Sequence, residues 1–90
     1  MKTEKKQLGT ISIMLNEREK NSQKLNLLLT KNSHLVMARL GVNVQPKCIN
    51  NCIGIIILTV QGTEKEIDDL GKKINLIKNA SAKVLFLTKE

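Results

Sequence analysis

Residues 53–60 read Ile-Gly-Ile-Ile-Ile-Leu-Thr-Val, and both alternating faces of that run are apolar. A strand turns successive side chains to opposite sides of its sheet, so Ile53, Ile55 and Ile57 point one way and Ile56, Leu58 and Val60 the other. A sheet with one face in water alternates apolar and polar residues, whereas a continuous Val/Ile/Leu run calls for cover on both faces. Helices of the same chain can supply one cover. The other is expected from a second copy, with Ile56, Leu58 and Val60, or their alternates if the register is reversed, at the contact.

Five further elements follow from the same pattern. Residues 8–15 form a strand with Ile11, Ile13 and Leu15 on one face and Thr10, Ser12 and Met14 on the other. Asn16 with Glu19 three positions on reads as a helix start, and Leu25, Leu28 and Leu29 mark one helical face up to a stop at Asn32 and Ser33. A second strand over 34–44 carries apolar residues on both faces, and the stretch 43–51, with Pro46 and three asparagines, is a loop. After the 52–60 strand, Gln61 and Gly62 make a turn, and Thr63 with Glu66 forms a capping box. Ile67, Leu70, Ile74 and Ile77 then stripe a second helix, and the last strand covers 82–88. The order is βαββαβ. Right-handed crossovers place both helices on one face of a four-stranded antiparallel sheet, an α+β ferredoxin-like sandwich.

Ninety residues make one domain, residues 1–90, with 1–7 expected as a flexible basic N-terminus. With Phe86 as the single aromatic, the core must be aliphatic. A chain of this size buries only about 60–65% of its unfolded surface, so an added interface would supplement a small core. No apolar leader follows Met1 and no apolar run approaches a membrane span, which gives the expectation of a cytoplasmic protein without a membrane partner.

The formal charge is +7, and no acidic residue occurs between Glu19 and Glu64. A positive field of that kind could recruit nucleic acid or anionic metabolites. The basic residues are spaced singly and form no stripe, so a solvated surface is the favoured reading and a nucleic-acid accessory the alternative.

Function has to be sought in sites, since this fold carries many. Strands one and three lack the aromatics on which RNA-binding domains of this topology stack bases. The turn after strand one lacks a Cys-x-x-Cys, and no iron–sulfur spacing occurs. Of the glycine and arginine that a phosphate-cradling loop would need there, only Arg18 is present. No catalytic constellation forms, so no enzyme is expected, and the residues specify no cofactor. Cys48, Cys52 and His34 could offer three soft donors, but a fourth ligand is missing. A loop thiol, a buried cysteine and a surface histidine are the simpler reading. A disulfide is not expected in a reducing compartment. Gly41, inside a strand pattern, points to a bulge or to close approach of a backbone or ligand. Arg39 shares its face and could contact an anion.

The order of Leu8-Gly9-Thr10-Ile11-Ser12-Ile13, Asn16-Glu17-Arg18-Glu19 and Met37-Ala38-Arg39-Leu40-Gly41-Val42, followed by Ile56 to Ile67 and the ending Leu87-Thr88-Lys89, resembles the small family of iron-only hydrogenase system regulators. That family is similar in fold to ACT domains and to the C-terminal domain of nickel-responsive repressors. Where its members follow the Arg-x-Gly segment with an Ile-Pro-Tyr-like stretch, this chain has Val42-Asn43-Val44-Gln45-Pro46-Lys47. The resemblance implies a stand-alone regulatory or ligand-sensing module that assembles as dimers or tetramers. The corresponding expectation is a small anionic or amino-acid-like ligand bound near Asn16, Arg39 and Gly41 at a subunit boundary.

Overall fold

The computed structural model describes residues 5–44, 47–49 and 52–88. Its elements are β1 (Lys6–Leu15), α1 (Arg18–Lys31), a 3-10 turn (Ser33–Leu35), β2 (Val36–Asn43), β3 (Gly54–Thr63), α2 (Glu64–Asn75) and β4 (Ala80–Phe86). The strands form one four-stranded antiparallel sheet in the order β2-β3-β1-β4. This is the ferredoxin-like arrangement expected from the pattern. Of the expected N-terminal segment 1–7, Lys6 and Gln7 belong to β1 and residues 1–4 lie outside the described part.

The core lies between the helices and one face of the sheet. Ile11, Ile13 and Leu15 of β1 are buried with Ile56, Leu58 and Val60 of β3, and Leu25 and Leu29 of α1 and Ile67, Leu70 and Ile74 of α2 close over them. Register explains the layer: Ile11 pairs with Leu58 and Ile13 with Ile56, and directly opposed residues of an antiparallel pair share a face. Aliphatic side chains carry this core, each contributing roughly 1.5–3 kcal/mol when fully buried.

α2 begins as its sequence dictates. The Thr63 hydroxyl accepts the Glu66 N–H at 3.1 Å while the Glu66 carboxylate accepts the Thr63 N–H at 2.9 Å. At its other end Asn75 reaches β4, where its amide accepts the Ala82 N–H at 2.7 Å and donates to the Ala82 carbonyl at 3.1 Å. Gly62 is inside β3 and not in a turn. Its small size is needed because a Cβ would meet Leu35 Cδ2 at 2.7 Å.

Candidate functional site

β2 enters the sheet with one residue too many. Val36 lies opposite Val60 and Ala38 opposite Thr59, which leaves Met37 as a bulge. A bulge re-aims everything downstream of it. Arg39 therefore sits opposite Leu58 and Gly41 opposite Ile56, on the helix side of the sheet, while Leu40 and Val42 turn to the open face. The glycine marks the bulged strand, as expected, but not the bulge itself.

α1 stops short of covering β2, and a cleft of about 330 Å³ opens between them. Its walls include Arg18, Glu19 and Ser22 from the first turns of α1, with Arg39, Gly41 and Gly54 from the strands. A side chain at Gly54 would press on Arg18, whose Cδ lies 3.2 Å from where a Cβ would stand. At Gly41 nothing lies within 4 Å, so that position is open to a visitor. Arg18 Nε is enclosed without a hydrogen-bond partner, and among the described residues neither Arg18 nor Arg39 forms an ion pair. Arg18 and Arg39 thus line one cleft together with Glu19, and guanidinium groups are planar, multidentate donors that match carboxylate and phosphate oxygens.

The turn before α1 holds Arg18 in place by tertiary bonds and not by a cap. The helix N-cap is Glu17, in left-handed conformation at φ 49°, with no side-chain capping bond. That corrects the capping role expected of Asn16. Buried Asn21 does the holding instead, its amide donating to the carbonyls of Asn16 at 3.1 Å and Glu17 at 3.2 Å. The Asn16 N–H donates to the Asn79 carbonyl at 2.8 Å, and the Asn79 amide donates to the Glu17 carboxylate at 2.8 Å. Asn16 thus ties the turn to the start of β4, whereas the cleft wall on this helix is made by Arg18, Glu19 and Ser22.

Two further expectations need correction. Ile56, Leu58 and Val60 face the helices and are 9%, 0% and 0% exposed, so they cannot meet a second subunit. Their alternates Ile55 and Ile57 share the open face with Met14, Leu40, Val42 and Leu85. Cys48 and Cys52, expected as free thiols, form a disulfide. The turn into β3 brings their Cα atoms to 5.7 Å, within the span such a bond bridges. Both sulfurs are thereby withdrawn from the three-donor set with His34, which is exposed on the 3-10 turn. Gln45, Pro46, Asn50 and Asn51 of the expected loop lie outside the described residues.

Arg39 and Gly41, paired in the sequence by their strand spacing, both line this cleft, and the structure adds Arg18 to them. The signal for it was its place as the one arginine at the turn after β1.

A family model described as "TM1266-like: Iron-only hydrogenase system regulator, putative" matches residues 7–84. Among solved structures, that of uncharacterized protein TM1266 from Thermotoga maritima is similar to this chain. The two are 25% identical, the match covers 93% of this chain and 100% of that one, and the TM-score is 0.82. No curated protein matches. Among the described residues no helix is long and apolar enough to cross a membrane.

Proposed function

We propose, for a chain that belongs to the TM1266-like family of iron-only hydrogenase system regulators, a non-enzymatic regulatory role exercised by binding a small oxyanion in the cleft between α1 and β2. The observation that carries it is that Arg18 and Arg39, neither of them in an ion pair among the described residues, line one cleft with Gly41 and Gly54. Calorimetric titration with inorganic phosphate, simple carboxylates and amino acids tests it. Arg18→Ala and Arg39→Ala should each weaken the best of these ligands about tenfold or more, ~1.4 kcal/mol. Unchanged affinity and melting temperature in both variants would sink the site.

The regulator acts as a homo-oligomer, dimer or tetramer. What supports this is the open sheet face, where Met14, Leu40, Val42 and Leu85 are 43%, 59%, 42% and 59% exposed. Exposed apolar side chains grouped on one sheet face, as Met14, Ile55, Ile57, Leu40 and Val42 are by register, favour an interaction site. Val42 and Ile55 also border the cleft, so a subunit docked on the open face would adjoin the ligand. Light scattering should give a mass above the monomer, and Leu40→Lys should lower it; a strictly monomeric wild-type protein would refute the assembly.

A further inference from the structure

We infer that Cys48 and Cys52 are a reversible thiol–disulfide site whose state sets the order of the first turn of α1, and through it the two-arginine cleft. Three observations converge. The Cys52 carbonyl accepts the Arg18 N–H at 3.0 Å, and the Cys52 N–H donates to the Glu19 carboxylate at 3.3 Å. The main chain of one half-cystine is thus bonded to two consecutive residues of the cleft wall. Two residues further on, Gly54 lies against the Arg18 stem.

The second observation is the small size of the ring. The two cysteines are four positions apart, and a cross-link over so short a loop removes little entropy from the unfolded chain. Its effect is therefore local: it fixes how the segment entering β3 presents the Cys52 N–H and carbonyl. The third is unequal access. Cys52 is 3% exposed whereas Cys48 is only partly buried, so an incoming thiolate reaches the Cys48 sulfur first.

The partner is a dithiol reductant. Its thiolate attacks Cys48 Sγ, forming a mixed disulfide and breaking the Cys48–Cys52 bond, with the Cys52 sulfur leaving as thiolate. The reductant's second thiolate then attacks its own sulfur in the mixed disulfide and releases Cys48. Two electrons pass to the protein, the reductant ends as a disulfide, and the two protons it loses end on Cys48 and Cys52. The exchange is reversible, so the reductant's potential decides which state prevails. Binding linkage is reciprocal: an anion that prefers the disulfide form protects the bond from reduction by the same factor that reduction weakens the anion.

The test compares air-oxidised protein, protein reduced with dithiothreitol, and Cys48→Ser, which is fixed without the bond. Amide hydrogen exchange at Arg18 should rise at least fivefold on reduction and in Cys48→Ser, and the variant should ignore dithiothreitol. Inorganic phosphate should bind the oxidised form about fivefold or more tightly than either other form. Equal Arg18 exchange in all three, or free thiols at both positions in air-oxidised protein by alkylation and mass spectrometry, would overturn the inference. If phosphate bound no form while Arg18 exchange still followed the disulfide, the anion reading would fall and the switch would stand.

Discussion

The two β–α–β halves of this domain share a topology but not a way of being built. In the second half the helix starts itself: Thr63 and Glu66 satisfy each other's N–H groups, and Ile67, Leu70 and Ile74 bury one clean stripe. In the first half the helix starts on a left-handed glutamate, buries a polar residue, and is tied down by bonds reaching 62 positions along the chain. The half that obeys local rules is scaffold. The half that breaks them carries the bulge and two arginines outside any ion pair among the described residues, and the disulfide lies in the connection that leaves it.

Substitutions at the two helix starts should separate these designs. The largest loss is expected from Asn21→Ala, which removes both bonds to the turn carbonyls; urea unfolding should register about 2 kcal/mol. Thr63→Ala should cost about 1 kcal/mol, the usual worth of an N-cap hydroxyl. Asn16→Ala should fall within about 0.5 kcal/mol, because its side chain caps nothing. If Asn16→Ala matched Thr63→Ala, both helices would start alike and the contrast would dissolve.

The smallest expected effect concerns pH. Hydrogen bonds from the Thr63 N–H, and then from the Thr63 hydroxyl, hold the exposed Glu66 carboxyl below its ordinary pKa of 4.5. A depressed folded-state pKa gives stability that is present above 4.5 and lost as pH falls through the lowered value. Glu66→Gln should therefore flatten the melting temperature in that acidic window and leave its neutral-pH slope unchanged. An identical acid profile in the variant would show that the box adds no pH-dependent stability.

The sandwich was legible because its cues are local and repeated: alternation in β1, the capping box, the stripe of α2. The cleft was half legible. Arg39 and Gly41 stand two apart on one strand and were paired on that ground, but the face they occupy depends on the Met37 bulge, a property of the pairing with β3 that β2 does not encode alone. The same dependence misled the interface. Which alternate face of β3 meets the helices is fixed by its register with β1, so Ile56, Leu58 and Val60 belong to the core. Arg18 is not legible locally because the residue its stem lies against, Gly54, is 36 positions away, and the disulfide is not legible because a Cys-x3-Cys spacing does not fix the 5.7 Å between the two Cα atoms.

The Asn75 amide on Ala82 has one more consequence. A sheet grows by offering unpaired backbone groups at its rims, and the β4 rim has its Ala82 donor and acceptor filled from within the molecule. The side chain occupies the rung that a neighbouring chain would have to take. Strand addition at that rung of β4 would have to displace the Asn75 amide, whereas β2, the opposite rim, also forms one bank of the cleft. Strand addition along β2 and ligand entry would compete for the same border of the molecule.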